Sequence, residues 1–350
     1  MKAWAKFATL AFSLAFCALL PAGGSPQTQA VAASRPEHLF KIATIAPQGS
    51  TWITLMDELD RRVREETGGQ VGFRFYPGGQ QGSDLDVLRK IRSGQLQGGG
   101  IAGVGLGEIE PSIRIFELPF MFRTAEEIDV AHRTLDPALN ERLRERGFHL
   151  LGWADVGFVY LFSREPLRTA GDLRAQKVWL WEGDPLARAL LSEASVTPIA
   201  LNITDVLTSL QTGMLNTVYV TPYACLSLQW FTHLAYLIDV PLTYSIGAVV
   251  VDVKAYDRLS DQQKEIVARI AGEIFPRLNQ ATRQQNDEAK AALLGNRMQL
   301  VTPDAAAVAD YQAIGRRVWH ALAGKMYPPE LLGQLTGALE QARGGEGSAR

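Results

Sequence analysis

Five histidines, at positions 38, 132, 149, 233 and 320, are where metal or proton chemistry would first be sought in this 350-residue chain. They are widely separated, none sits in H-E-x-x-H and none lies beside a cysteine, so no zinc-type ligand spacing is present. Cys225 has no neighbouring base, and the chain contains neither a G-x-S-x-G elbow nor a P-loop. The run GGGIAG at 98–103 matches G-x-G-x-x-G, but a dinucleotide site needs that motif directly after a strand and opening a helix. A helical stretch precedes it and Gly105 and Gly107 follow, so it reads as a strand and turn where backbones pack closely. Asp155, Glu182 and Asp184 could bring carboxylates together, although Asp184 before Pro185 is a natural helix N-cap. Nothing here demands an enzyme, a metal or a cofactor.

The aromatic residues are more informative. In KVWLW, Trp179 and Trp181 stand two positions apart and share one face of a strand, against Val178 and Leu180. In GFVYLFS, Phe158, Tyr160 and Phe162 share a face opposite Val159 and Leu161. Such stripes fit a core or a ligand box, and local pattern alone leaves the two open.

The elements that must position these residues alternate. Strand-like runs at 39–45, 71–76, 148–163, 176–181, 216–221 and 244–253 are separated by amphipathic stretches, among them 184–193, 202–212 and 226–237. Ser50 caps a helix bearing Trp52, Met56, Leu59 and Val63 on one face. Ser83 caps another, with Asp86 completing a variant capping box. From Ser260 a long amphipathic helix runs past Pro276, where a bend is expected. The pattern predicts an α/β protein with largely parallel sheets.

Composition supports this. With 47% hydrophobic residues the chain can bury a core for about two domains. Its formal charge of −2, without a Lys/Arg cluster, argues against nucleic acid as partner. Residues 1–33 read as a cleaved secretory signal peptide: Lys2 and Lys6, a short apolar run, then small residues at 30–34. Bulky Phe16 argues against lipidation at Cys17. Loss of this leader would take the charge to −4 and leave Cys225 alone, so no internal disulfide is expected.

At YPGGQQGSDLDVLRKIRSGQL (76–96) the chain resembles the DctP family of TRAP-transporter (tripartite ATP-independent periplasmic) substrate-binding proteins. KIATIAPQGSTW (41–52), ELPFMFRTAEE (117–127), LQTGMLNTVY (210–219) and YDRLSDQQKEIV (256–267) carry the same resemblance. It implies a two-lobed periplasmic-binding fold that closes on a solute, with 35–156 plus 245–285 in lobe I and 157–244 plus 286–345 in lobe II. It implies capture of a small molecule for a sodium-driven membrane permease, in the periplasm, without catalysis.

By that resemblance the arginine that usually holds a ligand carboxylate falls on Trp179, a second arginine on Val159 and an asparagine near Val220, beside Tyr219. An anion buried without its arginine would be uncompensated, whereas indole surface favours apolar ligand surface. The expected lining is therefore Trp179, Val159, Val220, Tyr219 and Trp181, with Trp52, Gln211, Tyr223 and Phe120 as further candidates. VWLWEGDP also resembles a branch associated with hydrophobic or amphipathic ligands and sometimes with a tetratricopeptide-repeat partner. Three alternatives stay open: a carboxylate anchored elsewhere, at Arg114, Arg123 or Lys177; a cation facing Glu182 or Asp184 over an aromatic wall; and a ligand-sensing exported binding protein on the same fold.

Overall fold

The computed structural model describes residues 36–347; the expected leader and Cys17 lie outside the described residues. The first sheet opens with β1 (His38–Thr44), β2 (Val71–Tyr76), β3 (Gly98–Ala102) and β4 (Phe148–Trp153). The second lobe follows with β5 (Gly157–Ser163), β6 (Trp179–Trp181), β7 (Ile199–Leu201), β8 (Thr217–Val220), β9 (Tyr236–Ile238) and β10 (Thr243–Ser245). Then β11 (Gly247–Asp252) rejoins the first sheet and β12 (Gln299–Val301) joins the second. The strand orders are β2-β1-β3-β11-β4 and β10-β5-β9-β12, with β8 also on β5 and β6 paired to β7.

The sheets are mixed, which corrects the largely parallel expectation. β1 runs parallel to β2 and β3, but β11 runs antiparallel to β3 and β4. The reason is topological: β11 enters from the other lobe, against the direction of strands reached through local helices. The two long strand-like runs are each interrupted where the chain changes lobe, at 154–156 and at Ile246. These crossings lie side by side: Ala154 N–H donates to the Gly247 carbonyl (2.8 Å) and Val156 N–H to that of Ser245 (3.0 Å).

Helix starts follow local chemistry. Ser50 accepts from the Ile53 amide, and Ser83 and Asp86 form a reciprocal capping box. Ser260 and Gln263 do the same for the helix Asp261–Gly295, which is continuous through Pro276. Val267, Ile270 and Ile274 of this helix enter the first-lobe core, whereas Leu293 enters the core containing Trp179.

The sequence reading differs from the structure in three further places. The predicted helix at 226–237 is instead the end of a helix Pro222–Ser227, a 3-10 turn Trp230–His233 and strand β9. Gln229 with φ +59° breaks the helix, and Leu237 pairs with Phe162. The C-terminal helix Pro329–Gly347 packs on the first-lobe helix Ala125–Glu145, where Arg343 meets Glu127 at 2.7 Å. Residues 286–345 therefore do not all pack with the second lobe. The glycine run forms β3 and does open a helix, Gly103–Ile109, contrary to the context read from sequence. Close packing still accounts for it: a Cβ on Gly100 would stand 2.6 Å from the Trp52 ring. Among the described residues no helix is long and apolar enough to cross a membrane.

Candidate functional site

Between the lobes lies a cavity of about 250 Å³. The first lobe supplies Ile45 after β1, Ala102–Val104 after β3, and Phe120. β5 contributes Val159 and Leu161, the face opposite Phe158 and Phe162, as the alternation of its sequence dictates. β6 brings Trp179 and Trp181, and β8 brings Tyr219 and Val220. Leu186 and Leu190 of the helix Pro185–Glu193, with Tyr311 and Ile314 of the helix Ala305–Leu322, complete a wall that is mostly hydrocarbon.

The two tryptophans differ within that wall. Trp179 is only 1% exposed. Its ring packs against Tyr219 (centroids 5.1 Å), Trp181 (5.9 Å) and, edge-on, Trp230 (5.3 Å). Its indole N–H donates to the Leu201 carbonyl at 3.0 Å, so its polar handle is satisfied inside the protein. Trp181 and Tyr219 are half-buried and offer ring surface to the cavity. The Trp181 backbone amide donates to the Tyr219 hydroxyl at 3.0 Å, anchoring the Tyr219 ring to β6.

One corner is charged. Arg114, 3% exposed, places Nε 2.6 Å from Glu117 Oε2 and Nη2 2.9 Å from Asp184 Oδ1. Asp184 Oδ1 also accepts from the Leu186 and Ala187 amides (3.0 and 3.2 Å), the helix-capping role read from the sequence. Glu117 Oε1 accepts from the Ile246 amide at 3.1 Å, at one crossing between lobes. A Cβ on Gly103 would collide with this carboxylate, so glycine is required there for the approach. Burial pushes the Glu117 pKa up, against the pull of Arg114. Burial would lower that of Arg114, but Glu117 and Asp184 outweigh it and raise it. Burial also raises that of Tyr219, as does the nearby Asp184.

The cavity thus brings together six of the sequence candidates: Trp179, Val159, Val220, Tyr219, Trp181 and Phe120. Phe120 adopts φ +57°, a costly conformation for a bulky residue, and stacks on Tyr311 at 5.7 Å. Three candidates lie elsewhere. Trp52 packs in the first-lobe core edge-on to Phe75, Gln211 is exposed on the helix Val206–Thr212, and Tyr223 is exposed on Pro222–Ser227. The carboxylates do not converge either. Asp184 lies in the wall, Glu182 is exposed and bonds Asn202, and Asp155 sits in the other crossing. Of the alternative anchors only Arg114 lines the cavity; Lys177 is exposed and Arg123 borders a separate surface hollow.

Sequence reasoning did not single out Glu117 or Tyr311. The i, i+3 spacing of Arg114 and Glu117 was the available signal for the first. Among the described residues no group of three His, Cys, Asp or Glu is placed to hold a metal ion. Cys225 is buried as a free thiol, and burial raises its pKa, the environment of an inert cysteine.

Several solved structures share this architecture. A TRAP periplasmic solute-binding protein from Ochrobactrum anthropi, with its C-terminus bound in its ligand pocket, superposes with a TM-score of 0.79 at 23% identity. That match covers 89% of this chain and 97% of the other. One from Desulfovibrio salexigens with bound orotic acid gives 0.80 at 17% identity, covering 87% and 99%. DctP7 of Bordetella pertussis, binding pyroglutamic acid, gives 0.78 at 18%, covering 86% and 99%. These likenesses establish the two-lobed fold. Among curated sequences, the C4-dicarboxylate-binding periplasmic protein DctP of Vibrio cholerae is 26% identical over 45% of this chain and 48% of its own length. The uncharacterized protein YiiZ of Salmonella typhimurium is 28% identical over 45% and 49%. The chain thus matches about half the length of these two curated relatives. The profile of DctP, bacterial extracellular solute-binding protein family 7, matches residues 42–325, and the chain belongs to that family.

Proposed function

We propose that this chain is the periplasmic solute-binding subunit of a TRAP transporter and that its solute is apolar or amphipathic. Residues 1–33 would direct export and be cleaved. The lobes enclose the solute, and the liganded form docks on a sodium-driven permease pair. By the resemblance carried in VWLWEGDP, a tetratricopeptide-repeat protein is the expected further partner.

One observation carries the choice of solute. Among the described residues Arg114 is the single cationic one of the cavity wall, and two carboxyl groups already engage it. A buried carboxylate ligand would lack the bidentate guanidinium that suits it. The remaining wall rewards apolar surface at about 25 cal/mol per Å² removed from water. In size, an engineered cavity of about 150 Å³ binds benzene, so about 250 Å³ admits a somewhat larger body.

The second reading is a small carboxylate, favoured by the orotic acid and pyroglutamic acid bound in the structural neighbours. A thermal-shift screen separates the two. Medium-chain alcohols and small aromatics at saturating concentration should raise Tm by several degrees, with orotate and pyroglutamate giving no shift. A shift with either acid and none with the apolar panel reverses the assignment.

A further inference from the structure

We infer that the Arg114–Glu117–Asp184 corner selects the solute's head group, admitting a hydrogen-bond donor such as an amine or hydroxyl and excluding a carboxylate. This deepens the proposed function and rests on it.

The corner sets two carboxyl groups against one guanidinium. It is therefore neutral when Glu117 holds a proton and negative when it does not, and in neither state positive. Arg114 Nε and Nη2 both face protein carboxylates, so a ligand carboxylate would meet a guanidinium already shared with Glu117 and Asp184. The acceptor side has capacity left. Asp184 Oδ1 takes three hydrogen bonds, from Arg114, Leu186 and Ala187, while its Oδ2 takes part in none of these. Asp184 is buried and lines the cavity, so a donor on the solute can be paired without solvent.

The aromatic wall points the same way. Tyr219 lines the same cavity as Asp184. The Tyr219 hydroxyl is held by the Trp181 backbone amide. Two half-buried rings in the same cavity wall as a carboxylate make a setting for an ammonium or an N–H or O–H edge, through the ring quadrupole as well as the acceptor. The faces of the same rings do not attract an anion.

The test is calorimetric titration of the purified full-length chain with three probes of one body and different heads: 2-phenylethylamine, 2-phenylethanol and phenylacetate. At least one of the amine and the alcohol should bind at least tenfold more tightly than phenylacetate. Glu117→Gln, which removes one acid, should narrow that gap; if the variant does not fold, the wild-type series decides. Phenylacetate binding as tightly as both other probes overturns the head-group inference and leaves the apolar cavity standing. Failure of all three to bind overturns the proposed function together with the inference.

Discussion

Arg114 Nη2 lies 2.9 Å from Asp184 Oδ1, and the same oxygen caps the helix Pro185–Glu193. One carboxylate thus fixes the start of a second-lobe helix and an ion pair reaching the turn Pro111–Glu117, which packs on the helix after β3. Breaking a buried pair on one side costs about 3–5 kcal/mol and losing a cap about 1 kcal/mol. Asp184→Ala should therefore lower stability to urea strongly, and Asp184→Asn, whose amide oxygen can still cap, by about 1 kcal/mol less. Equal losses would show that the cap adds nothing to the ion pair.

The two tryptophans should respond differently to truncation. Trp179 is enclosed by Tyr219, Trp181 and Trp230, so Trp179→Ala should cost about 3–5 kcal/mol of stability. Trp181, half-buried at the cavity, should cost less stability when truncated but weaken 2-phenylethanol binding by tenfold or more. Chemical denaturation and calorimetry on the two variants check the split. Trp179→Arg should destabilise the fold without creating carboxylate binding, because Val159 and Val220 remain apolar.

Stability should fall on the alkaline side through His132. Its Nδ1 lies 3.0 Å from Asp136, and its Nε2 faces Asp155, itself bonded to Tyr244 (2.7 Å) and Arg283 (3.1 Å), with Asp129 on Arg283. Burial opposes the charge, but Asp136 and Asp155 outweigh it and raise the pKa from 6.5 to about 9. Because the folded value is the higher one, the contribution is complete below about 6.5 and is lost as pH rises through about 9. The most it can supply is roughly 3 kcal/mol. Thermal unfolding between pH 6 and 10 should show this decline in the wild type and a flatter profile in His132→Gln. Parallel profiles would remove His132 as its source.

Tyr311 lines the cavity, yet its buried hydroxyl has no partner within the protein. An unsatisfied buried group costs about 1–3 kcal/mol. Tyr311→Phe should therefore stabilise the ligand-free protein slightly, and weaken binding of any solute that pairs with the hydroxyl. A loss of ligand-free stability would show that the hydroxyl is satisfied after all.

What the sequence disclosed was local. Ser50 and Ser83 announced their helices, and the alternation in GFVYLFS put Val159 and Leu161 on the cavity face. The crossings at 154–156 and Ile246 were hidden, because a strand that changes sheet keeps its apolar pattern. Period-two spacing gave Trp179 and Trp181 the same face, but Tyr219 and Trp230, about forty and fifty positions on, bury the first and leave the second accessible. The pairing of Arg114 with Asp184, seventy residues apart, has no local signature. Nor has the reach of Glu117 to Ile246.

The most direct test is mass spectrometry of the chain purified from a periplasmic extract, first intact under native conditions and then after organic extraction. A near-stoichiometric small molecule with an apolar body and no carboxylate is the predicted result. A sugar acid or a dicarboxylate at the same occupancy would contradict the account and assign Arg114 as the anchor.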